Sequence, residues 1–300
     1  MGSPTFPVER INRVAAVSCA IWTLVSVAVH LAAQALWPAY RKTMRPSERR
    51  QFCNKVACGL HAAVLSYNQA FNLFDPVLTD DPLHGVTDDH FYWGSVLLGY
   101  LAYDTAFSLV MFPLRSGAVM LAHHVVGLAG CVIGVYYNKL ALFGLAIEVF
   151  FESCNPLLHT LGCMRLARRS GGAAYLALSR LFVAQFFLFR VLIANAYFGW
   201  MLHCVLRETE RPWWAWAGVA VFASLNTLNF VWLFKLVAMV RAKGAQRRAA
   251  KLRNGGGQLS TATPAADPPS GKLAGEPADA SRRTVDLSAD ATASSHNKDK

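Results

Sequence analysis

The sequence predicts an all-α membrane protein of about seven transmembrane helices, with six as the alternative and a disordered carboxyl-terminal tail. Three observations carry that expectation. Of 300 residues, 54% are hydrophobic and only 16% charged, which is not the balance of a soluble enzyme. The apolar residues gather into windows long enough to cross a hydrocarbon core of ~30 Å. The basic residues behind the net charge of +11 fall between and after those windows, so they report membrane orientation. No nucleic-acid partner is expected from them.

The windows lie at about 14–37, 55–74, 90–112, 118–137, 140–163, 177–204 and 213–240. The first ends in LWPAYRKTMR without a small-residue cleavage site and reads as a retained anchor. Arg41, Lys42, Arg45, Arg49 and Arg50 follow it, and Arg115 separates the third window from the fourth. Arg165, Arg168 and Arg169 come between the fifth and sixth, and a basic run from Arg241 to Arg253 follows the last. The alternate loop FDPVLTDDPLHGVTDD has no Lys or Arg, and the Asn138-Lys139 turn has one. The basic loops and the carboxyl terminus are therefore expected in the cytosol and the amino terminus across the membrane. The organisation expected is an amino-terminal helix with its basic loop (1–50), a transmembrane domain (51–242) and a tail (243–300). Gly, Ser, Pro and Ala dominate the tail, which cannot bury enough apolar surface to order itself.

Seven cysteines without CxxC spacing indicate neither a disulfide framework nor a zinc site. The polar residues inside the windows are more informative. An ionisable group at the bilayer centre costs about 2.5 kcal/mol or more and usually serves a function or a specific partner. Asp104 and the pair His123-His124 lie at about equal distances from the break near Leu114, so two antiparallel helices bring them to one level. Counted from the cytosolic ends at ~1.5 Å per residue, His30, His61, Asp104, His123 and His124 lie roughly 9–14 Å deep. Glu152, Arg190 and Asn229 lie at roughly 16–18 Å by the same count.

Local spacing supports inward facing. His123, Gly127, Gly130 and Gly134 share one helical face, and Glu148, Glu152, Asn155 and His159 form another stripe. Pro156 has no amide proton, which frees the carbonyl of Glu152 at a kink. Adjacent histidines point about 100° apart on a helix, so one can face a cavity while the other pairs away from it. Two readings follow. Asp104–His and Glu152–Arg190 are buried pairs that fix helix register, or the His pair backed by Asp104 is a general base with Arg190 open to an anionic group. HxxxH spacing is missing, so no metal is expected.

The segments GYLAYD (ending at Asp104), His123-His124, ESCNP (152–156), FFLFR (ending at Arg190) and LNFVWLFK (228–235) resemble the TLC-domain family, as does NKVACGLHA around His61. The resemblance covers roughly residues 50–242 in order. Ceramide synthases of that family carry a further His-Asp pair and an Asp downstream of the His pair. Here that region, CVIGVYYNKLALFGLAIEVFFESC, has none, which argues against acyl-CoA-dependent ceramide synthesis and for the lipid-regulating or uncharacterised branch. The resemblance implies a multi-pass endomembrane protein, as in the endoplasmic reticulum, acting in lipid homeostasis. On that view His123, His124 and Asp104 are the catalytic candidates, and His61, Glu152, Arg190 and Asn229 contact a membrane lipid or fatty acyl chain. Acyl-CoA is the co-substrate if acyl transfer occurs, no other cofactor is expected, and a homodimer is an open arrangement. The rivals are a non-catalytic cargo receptor or chaperone and, lacking a visible repeat, a proton-coupled transporter.

Overall fold

The computed structural model describes residues 6–111, 114–210 and 212–255. Every regular element among them is helical: α1 (Val8–Leu36), α2 (Pro38–Thr43), α3 (Pro46–Ala70), α4 (Pro76–Asp80), α5 (Asp88–Met111), α6 (Leu114–Cys131), α7 (Ala141–Glu152), α8 (Asn155–Leu166), α9 (Ala173–Phe186), α10 (Ala194–Arg207) and α11 (Trp213–Gly255). Prolines stand at the first positions of α2, α3 and α4, where a missing amide proton costs no intrahelical bond. Glu48 closes the start of α3 by accepting from the Arg45 amide at 2.9 Å. Asp75 does the same for α4, accepting from the Val77 amide at 2.9 Å.

Among the described residues, six stretches are long and apolar enough to span a bilayer: Val8–Leu36, Asp88–Met111, Ala118–Tyr136, Ala141–Leu166, Ala173–Arg207 and Trp213–Ala238. The protein is integral to the membrane. The second window expected, 55–74, falls mostly in α3, which is long enough but too polar to join them. Asn54, Lys55, His61, Ser66, Asn68 and Gln69 are the reason. Yet α3 sits in the middle of the bundle, packed on α1, α5, α7 and α8, with Ala57, Cys58, His61, Leu65 and Gln69 buried.

Helices α1 and α5 cross in close contact. A Cβ at Gly99 would collide with the Ala15 carbonyl oxygen, so only glycine lets the backbones meet there. Ser18 Oγ locks the crossing by donating to the Val96 carbonyl at 2.7 Å. Near the turn from α1 to α3, Tyr40 is wholly buried. Its hydroxyl lies 2.7 Å from His30 Nδ1 and 3.2 Å from Cys53 Sγ, and burial, reinforced by Cys53, pushes its pKa up. His30 therefore serves this corner, its other ring nitrogen lying 2.9 Å from Gln34 Nε2.

Three spans are irregular. The span Ala141–Leu166 breaks at Ser153-Cys154, between α7 and α8, just ahead of Pro156. Between α9 and α10 the chain widens into a π-helix, Phe187–Ile193, with Arg190 in its middle. After α6 a second π turn, Val132–Tyr136, leads into a tight corner where Asn138 and Leu140 have φ of 56° and 60°. A left-handed leucine is uncommon. Here its amide donates to the Leu83 carbonyl at 3.0 Å and its side chain is buried.

The compact bundle ends at Phe230, and the chain from Val231 forms a unit of its own. In that unit the expected tail, from 243, is helical through Gly255. Its Ala, Arg, Lys, Gln and Leu content explains why. Residues 256–300 of the expected tail lie outside the described residues.

Candidate functional site

The centre of the site is Asp104 on α5. Its Oδ1 accepts from Asn54 Nδ2 at 3.0 Å and from the Cys58 thiol at 3.6 Å, both on α3. Its Oδ2 faces His124 Nε2 on α6 at 3.2 Å. Asn54 is itself held, since its Oδ1 accepts from the Tyr103 hydroxyl at 2.7 Å. Three helices are thus tied at one carboxylate. With Nε2 bonded to a carboxylate, a neutral His124 keeps its lone pair on Nδ1. That buried Nδ1 has no hydrogen-bond partner among the described residues.

His123 turns the other way. The two imidazoles lie 5.8 Å apart at 53°, and His123 lines a cavity of about 80 Å³ together with Glu148, Glu152, Phe151, Gly127 and Gly130. The glycine face beyond His123 forms one wall of that cavity, so the small residues make room as well as admitting a neighbouring helix. His123 lines the cavity and His124 bonds Asp104, as the 100° offset allows.

His61, on α3, lies flat against Tyr100, with ring centroids 3.6 Å apart at 9°, and meets the edge of Trp22. Neither of its ring nitrogens has a hydrogen-bond partner among the described residues. The same holds for one carboxylate oxygen of Glu152, for His159 Nδ1 and for Asn229 Nδ2. Buried polar atoms are rarely left so.

Arg190 reaches the helix break between α7 and α8. Its Nε and Nη2 both donate to the Phe151 carbonyl. Nη2 also reaches Asn155 Oδ1 at 2.8 Å, and Nη1 reaches Asn229 Oδ1 at 3.4 Å. The rings of Phe151 and Phe186 lie 5.4 and 5.5 Å from the guanidinium carbon. The broken helix exposes carbonyls, and Arg190 takes the one at Phe151 while Gln185 Nε2 takes that of Ser153 at 3.0 Å. The π turn around Arg190 is what aims it there; such turns recur at functional sites. Arg190 and Asn229 are brought together beside the break.

Nearer the Asn138 corner, Gln69 Nε2 donates to Glu148 Oε2 at 3.3 Å, and His90 Nε2 lies 3.2 Å from the Gly134 carbonyl. Asn54, Cys58, Tyr100, Gln69 and His90 were not singled out from sequence. Asn54, Cys58 and His61 are spaced by four and three, which places them on one helical face, so that signal was present. All the residues named above except Trp22 fall within 51–238, the stretch matched by the family model for the TLC domain. The chain belongs to the TLC-domain family. No curated protein matches it. In this TLC-domain chain the matched stretch begins inside α3 and leaves out α1, so Trp22, which touches His61, comes from outside the domain.

Proposed function

We propose that this TLC-domain protein handles a membrane lipid, holding its polar group at His123 and Glu152 and its acyl chain in the adjoining cavity. The observation that carries this is the split of the histidine pair: His124 is bonded to Asp104, and His123 stands in a cavity wall. A cargo receptor needs no interior space with an imidazole in its lining. The reaction these groups support is general-base acyl transfer. His123 takes the proton of a lipid hydroxyl or amine as it attacks an acyl thioester, the carbon–sulfur bond breaks, and the thiolate leaves with that proton. Acyl-CoA is the co-substrate in that case, and the endoplasmic reticulum or another endomembrane is where such a reaction belongs.

The test is lipid extraction from purified protein followed by mass spectrometry. Wild type should retain an acyl lipid, and His123→Ala should lose it while keeping its melting temperature within a few degrees. Wild type with no bound lipid, or His123→Ala with an unchanged complement, would refute the reading. Release of free thiol from acyl-CoA by wild type and not by His123→Ala would assign transfer as well as binding.

A further inference from the structure

Two basic loops of the chain meet at one point. Helix α2, the start of α3 and the end of α8 share a small apolar core. Tyr40, Met44 and Cys53 are buried in it, and Phe52, Leu166 and Ala167 pack against them. Glu48 joins the two segments beside that core. Its Oε2 accepts from the Arg45 amide at 2.9 Å and its Oε1 from Arg168 Nη2 at 2.7 Å. Residues 37–50 and 154–172 together hold eight arginines and lysines, and Glu48 is their single carboxylate. One carboxylate cannot balance them, so the joined surface is strongly positive.

The end of α8 shows that this charge is placed. Arg168 has a φ of 60°. Its amide donates to the Arg165 carbonyl at 3.0 Å, and the Arg169 amide donates to that of Met164 at 2.8 Å. This is the Schellman closure of a helix, whose left-handed position is ordinarily glycine. Any other residue there crowds its Cβ against the following carbonyl oxygen. Gly171 and Gly172 come too late in the chain to fill the position. An arginine in it supplies what glycine cannot, a guanidinium that reaches across to α3. Next to Glu48, Arg49 Nε is buried with no hydrogen-bond partner among the described residues.

Depth identifies the partner. The spans Val8–Leu36 and Ala141–Leu166 both end here. Arg41 comes five residues after Leu36, and Arg168 and Arg169 come two and three after Leu166. At ~1.5 Å per residue these positions lie within about 8 Å of the hydrocarbon edge. The polar layer on each side of the core is itself ~5–7 Å deep. A phosphate held at that depth belongs to a lipid, whereas nucleotides, nucleic acids and acidic proteins approach from beyond it.

We infer that this surface binds the headgroups of anionic phospholipids. Arg41, Arg49 and Arg169 contact their phosphates, and Glu48 with Arg168 is the clasp that fixes the spacing. The surface shares no residue with the lining of the cavity at His123, so it stands whatever that cavity holds.

The experiment titrates purified protein in detergent with phosphatidylserine and with phosphatidylcholine, both carrying the same acyl chains and the same chain-end fluorophore. Energy transfer from the native tryptophans reads binding, and identical chains cancel any contribution of the interior cavity. Wild type should prefer the serine lipid by about fivefold (~1 kcal/mol) for each arginine engaged. At ~1 M salt, where charges act over only about 3 Å, that preference should collapse. Arg49→Gln/Arg169→Gln should lower it by about 25-fold. Arg168→Gly relieves the backbone, so its melting temperature should hold within a few degrees while the preference falls severalfold. It keeps the test alive if the double variant misfolds, and a merely structural arginine would give no such split. Equal affinities of wild type for the two lipids, or a preference unchanged in every folded variant, overturns the proposal. Displacement of the serine lipid by millimolar inorganic phosphate would assign the surface to soluble phosphates and likewise overturns it.

Discussion

Removing His124 should expose what the Asp104 pair contributes. In His124→Leu the buried carboxylate keeps Asn54 and Cys58 at Oδ1 but loses its partner at Oδ2. Breaking a buried pair on one side costs about 3–5 kcal/mol, or about 6–20 °C of melting temperature for a domain of this size class. The double variant Asp104→Leu/His124→Leu removes the stranded charge but leaves Asn54 Nδ2 and the Cys58 thiol unpartnered at about 1–3 kcal/mol. It should therefore be roughly 2 kcal/mol more stable than His124→Leu alone. His123→Ala, facing the cavity, should lose only about 0.5–1.5 kcal/mol. The assay is thermal unfolding in detergent across the full double-variant cycle. Losses that add within about 0.5 kcal/mol would mean that the two residues are not coupled, and the site would need rebuilding around some other carboxylate.

Three further outcomes are expected. Arg190→Lys offers one ammonium where the guanidinium reaches Phe151, Asn155 and Asn229, so it should cost about 2 kcal/mol; a melting temperature equal to wild type would refute that arrangement. Gly99→Ala drives a methyl into the α1 backbone and should cost about 1–3 kcal/mol, with α1 digested faster by protease; unchanged digestion would speak against the crossing described. Cysteines introduced at Thr43 and Val77, on either side of α3, should label from opposite faces of the membrane. Labelling from one face would mean that α3 does not cross and would place both chain ends on the same side.

Sequence reading was strongest where physics is periodic. Window length located the apolar helices, and counting residues from the ends brought Asp104 to His124 before any coordinates. The split of the histidine pair follows from the helical turn, and the break near Pro156 from a missing amide proton. What could not be read has a common cause. Arg190 binds a backbone carbonyl, and a carbonyl carries no mark in the sequence. His30 was taken up by Tyr40, ten residues on, because α2 folds the chain back at Pro38. Asn54 and Cys58 are neutral and ordinary in type, and only their spacing hinted that they would meet Asp104.

The polarity of α3 also bears on how the bundle is made. A segment carrying Asn54, Lys55, His61 and Gln69 gains little from entering lipid alone, since each polar group costs free energy there until it finds a partner. Its partners, Asp104 and Glu148, lie downstream in the chain and leave the ribosome later. The early helix α1 can insert on its own composition, whereas α3 gains from waiting at the membrane surface until α5 and α7 follow. A substitution at Asp104 or Glu148 should then be felt first at α3, a helix made dozens of residues earlier.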